Sequence, residues 1–130
     1  MNKVQKGLPS PINLIVRANN LKISPQKLRP IANLVRKKEI NHSLNVLNFL
    51  PHKGASMLYK ILQGALKQVK QKTSQENQKK ITFYIIEIRI DQGVTRKKLN
   101  IRARGNADTL RSTASRLFLC VSSQKQENKK

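Results

Sequence analysis

ITFYIIEIRIDQGVTRKKLNIRARG, residues 81–105, indicates the fold of this chain more clearly than any other stretch. The first ten residues are mostly β-branched or aromatic and predict a strand. The last thirteen, 93–105, hold five basic residues and no acidic one, and a second strand-like run, LFLCV, follows at 117–121. This pattern predicts a long basic β-hairpin over about 86–110. Its arm cannot bury itself in its own domain, because packed cations repel each other and lose their hydration.

Alternation within the hairpin predicts which side chains share a face. In the first strand it separates two sets of residues, with Tyr84, Ile86, Ile88 and Ile90 on one face and Glu87, Arg89 and Asp91 on the other. Near the tip, Arg102 and Arg104 alternate with smaller or apolar residues, so we expect both guanidinium groups on one face. Gly93 predicts a bend or bulge where the strand leaves the body.

Upstream of the hairpin, the apolar periodicity is that of helices. A helix over about 25–37 is expected to begin at a Ser24 cap and Pro25, with an irregular turn at Pro30. A second, short helix is expected to begin at Asn41 and a third to cover about 52–72. The predicted core positions of the three helices are Leu28, Ile31, Ala32 and Val35, then Leu44, Val46, Leu47 and Phe49, then Leu58, Ile61, Leu62, Ala65 and Val69.

Together these elements predict an α+β fold. We expect a small antiparallel three-stranded sheet, with an edge strand at 12–18, packed by about three helices, and a long basic β-hairpin extending from the globular body. A single domain would cover 12–121. Residues 1–11 would form an extended tail, 73–80 a polar loop, and 122–130 a disordered basic tail.

The charge of the chain points to a polyanionic partner. Lys and Arg number 27 and Asp and Glu 6, giving a formal net charge of +21. Aromatic residues are only 4% of the chain, which favours contacts to phosphate and sugar over stacked bases. No helix sets a strong basic face against a large aromatic one, so a membrane is not an expected partner. The candidate RNA-binding residues are Arg96, Lys97, Lys98, Arg102, Arg104, Gly105, Arg111 and Arg116 on the hairpin, and Lys27, Arg29 and Lys53 near helix starts.

Several other classes of function are disfavoured by the residues. The single cysteine, Cys120, excludes an internal disulfide and a cysteine-based zinc site. The acids are scattered and the histidines lie apart, so no metal site, cofactor or enzyme is predicted. The alternative is a freestanding DNA-binding helix-turn-helix protein built on 25–37 and 41–50. The second of these helices carries no Lys or Arg, which argues against it.

Three stretches resemble, in order and spacing, the L-twenty-two family of large-subunit ribosomal proteins. ISPQKLRPIANLVRKK at 23–38 resembles its opening helix, LNFLPHKGASMLYKILQGAL at 47–66 its long helix, and IDQGVTRKKLNIRARGNAD at 90–108 its basic signature. The resemblance covers about 14–121. The chain departs from the family pattern where Lys37 replaces a helix-ending Gly, Ile101 a Pro, Asn106 an Arg, and Arg116 a His.

The resemblance implies a structural rRNA-binding protein. The globular part would sit near the opening of the polypeptide exit tunnel, and the hairpin would thread through rRNA to line the tunnel wall. Its partners would be large-subunit rRNA, neighbouring ribosomal proteins and the nascent polypeptide. The stretch before Ser24 and the Leu-Pro-His-Lys run are most like the chloroplast form, so we expect a plastid ribosome, with a mitochondrion or a bacterial cytoplasm as alternatives.

Overall fold

The computed structural model describes residues 12–73 and 81–123. The first strand and three helices come first along the chain, namely β1 (Asn13–Leu21), α1 (Pro25–Val35), α2 (Ile40–Phe49) and α3 (Lys53–Lys72). The hairpin follows, with β2 (Tyr84–Ile101), a 3-10 turn (Ala103–Gly105) and β3 (Ala107–Ser122). The predicted tail over 1–11, nearly all of the predicted loop over 73–80 and most of the predicted tail over 122–130 lie outside the described residues.

The three strands form one antiparallel sheet in the order β1-β3-β2. The helices pack on one face, where Leu14, Ile88, Leu117 and Leu119 are buried together with residues of all three helices. The other face leaves Ile15 more than half exposed. The predicted α+β fold, with three strands, three helices and an extended hairpin, is therefore confirmed. The predicted edge strand is also confirmed, and it continues to Leu21.

The helical cores follow the predicted spacing in α1 and α3. The four predicted positions of α1 are all buried, as are Leu58, Leu62, Ala65 and Val69 of α3, whereas the predicted Ile61 is only partly buried. In α2 the prediction fails at Phe49, whose side chain is 84% exposed at the end of the helix. The buried residues of α2 are Ile40, Ser43 and Leu47, so Leu47 is the one predicted core position of this helix that is fully buried.

The helix ends differ from the predicted caps. Ser24 and Pro25 lie where expected, but the Ser24 hydroxyl makes no capping hydrogen bond. The N-cap of α2 is Glu39, not Asn41, whose amide instead donates to the Glu39 carboxylate over 3.2 Å. After α1, Lys37 takes a left-handed backbone with φ of 57°. The chain thus keeps the helix-ending geometry for which glycine is the usual residue.

The predicted facing of β2 is correct beyond Glu87 and wrong before it. The register shifts between Ile85 and Glu87, so Ile86 is an extra residue in this strand. Ile85 is buried in its place, while Ile86 is only half-buried. Four successive β-branched or aromatic residues at 83–86 contain no alternation that could have revealed a bulge.

The end of β3 also differs from the prediction. Ser122 pairs with Asn13 and with Tyr84, and the amide of Ser123 donates to the Ile12 carbonyl over 3.2 Å. Since these residues are held by the two neighbouring strands, the sheet extends past 121, and Ser122 and Ser123 do not belong to a disordered tail.

Candidate nucleic-acid interface

The distal part of the hairpin, residues 93–113, projects beyond the core and is called the arm here. The ladder between β2 and β3 continues through it from Thr95 opposite Thr113 to Ile101 opposite Ala107. All buried residues of the core cluster lie in 14–90 or 117–121. The arm therefore adds nothing to that core, and its side chains are available to a partner.

The arm begins at a β-bulge, as Gly93 predicts. The register shifts between Gln92 and Thr95 on β2. A Cβ atom added to Gly93 would lie 3.0 Å from both the carbonyl carbon and the oxygen of Ala114. Only glycine fits this backbone approach without displacing the neighbouring strand, so Gly93 sets where the arm leaves the body.

The cations of the arm occupy both of its faces. Residues directly opposite in an antiparallel ladder share a face. Lys97 lies opposite Arg111, on the face that continues from the helix side of the sheet. Arg96 and Lys98 lie opposite Ser112 and Leu110, on the other face. All four cations are exposed, so an anionic partner on one side alone would leave part of the charge without compensation.

The tip does not have the predicted alternation. Arg104 and Gly105 have φ of 58° and 73°, two successive left-handed residues. The Asn106 amide donates back to the Ala103 carbonyl over 3.4 Å, which closes a turn of the type I′ kind. Arg104 therefore lies at the apex of a turn and not in a strand, and the expectation that it shares a face with Arg102 is wrong.

A basic cleft forms where the arm meets the body. It has a volume of about 690 Å³ and lies between the starts of α1 and α3 and the arm. Three predicted residues far apart in sequence, Lys27, Lys53 and Arg111, line it together. Lys22 and His52 also line it and were not predicted. The sequence could have indicated Lys22, because this residue lies two positions before the Ser24-Pro25 helix start.

Two features make this cleft suited to an anion. Ser24 and His52 are the N-cap residues of α1 and α3, and neither side chain makes a capping hydrogen bond. Both helix starts thus direct partial positive charge into a cleft already lined by cations. The wall is held in place because the buried Ser115 hydroxyl donates to the Ile23 carbonyl over 2.5 Å.

A second basic groove, of about 340 Å³, runs between α1 and β2. It is lined by Arg29, which was predicted, and by Arg36 and Arg89, which were not. Arg29 donates through Nε to the Ile90 carbonyl over 3.4 Å, and Arg36 through Nη2 to the Ile88 carbonyl over 3.1 Å. These bonds tie the helix to the edge strand and order both guanidinium groups while leaving further N–H donors available.

Arg116 lies on the open face of the sheet. It pairs in register with Asp91, and the neighbouring row sets Arg17 and Arg89 on either side of Phe118. The two guanidinium carbons lie 5.8 and 4.8 Å from the ring centroid. Arg89 also contacts Glu87 at 3.5 Å and Asp91 at 3.6 Å. This face mixes acidic and basic side chains, whereas the described lining of the cleft includes no acidic residue.

The described residues offer little for catalysis. Within 12–73 and 81–123, no three His, Cys, Asp or Glu side chains come together as metal ligands. Burial, and then the nearby Glu87 charge, raises the pKa of the Cys120 thiol, which opposes the thiolate form that a nucleophile needs. Among the described helices, none has the length and apolar character needed to cross a bilayer.

Comparisons with known proteins show which family this chain resembles. The family model described as Ribosomal protein L22p/L17e matches residues 16–122. The large ribosomal subunit protein uL22 of Trichlorobacter lovleyi is 35% identical over 104 residues, covering 80% of this chain and 89% of the relative. The uL22 protein of Petrotoga mobilis is 35% identical over 103 residues, covering 78% and 66%. That of Carboxydothermus hydrogenoformans is 29% identical over 109 residues, covering 84% and 94%.

Proposed function

The chain belongs to the Ribosomal protein L22p/L17e family, and we propose that it binds large-subunit rRNA with its arm and its basic cleft. Membership makes it a structural protein of the large ribosomal subunit and not an enzyme. Membership also argues against the alternative of a helix-turn-helix DNA-binding protein, since that interpretation accounts for neither the family match nor the arm.

The observation that carries the proposal is the placement of cations on both faces of an arm outside the core. Over 93–113 there are six basic residues and one acid. Phosphates surrounding such an arm would neutralise both faces and release condensed counterions, which is the main source of sequence-independent RNA affinity. RNA enclosing the arm is therefore the partner arrangement that its charge distribution supports best.

The body would contribute a second set of contacts. A phosphate in the cleft would meet Lys27 and Lys53 from the helix starts and Arg111 from the arm. Because these residues come from three elements, one bound phosphate would also fix the angle between the arm and the body. Arg29, with its Nε already engaged, would offer its remaining donors to a phosphate at the second groove. Residues 12–121 would thus act as one rRNA-binding domain.

The tip would line the wall of the polypeptide exit tunnel and meet the nascent chain. Support comes from its narrow form, since Ala103 and Gly105 are small and nothing lies within 4 Å of a Cβ atom placed at Gly105. Arg116 and the open face of the sheet, with charges of both signs, suit a neighbouring ribosomal protein or the rim of the RNA. The chloroplast-like segments of the sequence favour a plastid ribosome over a mitochondrial or bacterial one. Immunoblots of purified organelles would test that assignment.

The RNA-binding test compares two variants of equal charge change. Replacing Arg96, Lys98 and Arg111 by Gln removes cations from both faces of the arm. Replacing Lys60, Lys67 and Lys70 by Gln removes the same charge from the exposed side of α3. The arm variant should lower affinity for large-subunit rRNA by roughly a hundredfold or more. The slope of log affinity against log salt concentration should fall by about the amount that three phosphate contacts contribute. The control should change both quantities far less. Equal losses would mean that binding depends on net charge alone and would contradict the proposed interface.

A further inference from the structure

Asp108 is the one acidic residue of the arm, and it lies close to the tip. Its carboxylate Oδ2 accepts a hydrogen bond from Arg102 Nε over 2.7 Å. Both side chains are exposed, at 60% for Arg102 and 59% for Asp108. An acid in this position needs an explanation, since phosphates around the arm would repel it.

The register explains how the two side chains meet. Asp108 lies directly opposite Asn100, and Arg102 is two residues further along the same strand direction. Arg102 still has an extended backbone, with φ of −112° and ψ of 175°. It therefore projects from the same face as Asn100, and the contact with Asp108 is a diagonal cross-strand pair of the kind that long side chains reach.

The pair bridges the base of the apical turn. The Arg102 amide donates to the Asn106 carbonyl over 2.8 Å, directly beneath the two left-handed residues Arg104 and Gly105. The backbone hydrogen bond and the side-chain ion pair thus join the two strands at the last position before the chain reverses. Arg104, held at the apex, has no acid of the arm beside it in the described structure.

We propose that Arg102 and Asp108 act as a neutral positioning pair that shapes the tip, and that Arg104 is the cation with which the tip contacts rRNA. This inference rests on the proposed function and revises one residue of it, because Arg102 was expected to be a phosphate ligand. In this arrangement Arg102 neutralises Asp108 among the surrounding phosphates. Loss of Arg102 then exposes an uncompensated carboxylate, whereas loss of both groups does not.

A double-mutant cycle on the full chain separates the two roles of Arg102. The variants are Arg102→Gln, Asp108→Asn and the two combined, measured for affinity to large-subunit rRNA over a range of salt concentrations. We expect Arg102→Gln to weaken binding about tenfold or more, and the double variant to recover to within about threefold of wild type with an unchanged salt slope.

The matched control repeats the cycle at the apex. Arg104→Gln should weaken binding and lower the salt slope by about one contact, and adding Asp108→Asn to it should restore little. This control measures the general benefit of removing an acid. The inference is overturned if Asp108→Asn restores the affinity of Arg102→Gln no better than that of Arg104→Gln. It is also overturned if the Arg102→Gln, Asp108→Asn variant has a lower salt slope than the wild type, because Arg102 would then be a phosphate ligand.

The ion pair between Arg102 and Asp108 can also be tested in the absence of RNA. In the free chain, the Arg102 Nε proton should exchange with water more slowly than the Arg104 Nε proton, and Asp108→Asn should remove the difference. Equal exchange in the wild type would overturn the pair. If the wild type binds large-subunit rRNA no better than an unrelated RNA of equal length, the proposed function fails, while the proton exchange still decides whether the pair exists.

Discussion

Lys37 has a left-handed backbone conformation, which is disfavoured for a residue that carries a Cβ atom. Its φ of 57° places it in the left-handed region immediately after Arg36, the C-cap of α1. For a residue with a Cβ atom this conformation costs about 1 kcal/mol. The position is fixed by the next residue, because the Lys38 carbonyl accepts from the Ile85 amide over 2.9 Å and so joins the chain to β2.

We therefore expect Lys37→Gly to stabilise the protein. Removing the Cβ strain should raise the free energy of unfolding by about 0.5–1 kcal/mol, measured by urea denaturation. Lys37→Ala is the control, since it removes the same charge and side chain but keeps the Cβ atom. A gain of equal size for Ala would assign the effect to charge and contradict the backbone explanation.

Cys120 carries a prediction about pH. Because burial and the Glu87 charge raise its pKa in the folded state, the unfolded chain should ionise this thiol first. Any stability linked to Cys120 is thus present below the ordinary thiol pKa and is lost as the pH rises through the folded value. Alkylation near pH 8 should be slower in the native than in the unfolded protein, and Glu87→Gln should speed the native reaction. A native rate that matches the unfolded rate would contradict this.

At the scale of elements, the helices and the hairpin follow from the sequence and the local details do not. Apolar spacing predicts α1 and α3 because each has one long stripe, as Leu58, Leu62 and Val69 show. The bulge at Ile86 could not be predicted, since the run 83–86 is apolar or aromatic throughout and shows no alternation. Nor could the apex at Arg104, because an Arg at the first central position of a type I′ turn is not a typical turn signal.

The bulge at Gly93 gives a prediction about elements. Gly93→Ala should destabilise the protein, by about 1–3 kcal/mol, because its Cβ would lie 3.0 Å from the backbone of Ala114. Gly64→Ala is the matched control within α3, where nothing lies within 4 Å of the added Cβ. That change should instead stabilise by about 0.5–1 kcal/mol through helix propensity. Thermal unfolding of both variants checks the opposite signs, and a stabilising Gly93→Ala would contradict the close approach.

At the scale of the whole molecule, the body supplies stability and the arm supplies charge. The cations of the arm are evident in the sequence, but the proximity of Lys27, Lys53 and Arg111 in one cleft is not. That proximity depends on α1 and α3 beginning side by side, where Gly54 would place a Cβ only 2.7 Å from Ile31 Cδ1. Such a contact between distant segments leaves no periodic signal in the sequence.

An armless variant tests this division. Deleting 94–113 joins Gly93 to Ala114 and leaves a two-residue loop between Gln92 and Ser115, which are already paired. Since the deleted segment holds no member of the core cluster, the variant should keep its circular dichroism spectrum and unfold cooperatively at a melting temperature near that of the wild type. Its affinity for large-subunit rRNA should fall by orders of magnitude. A variant that is unfolded would show that the arm stabilises the body.

If RNA surrounds the arm within the large subunit, the arm should hold the chain in the particle. The most direct measurement is sedimentation of ribosomes from cells that express tagged wild-type or armless chains, at low and at high salt. We expect the wild-type chain to stay with the large subunit after the high-salt wash and the armless chain to be released. A wild-type chain that leaves the particle at modest salt, or an armless chain that is retained equally well, would contradict this expectation.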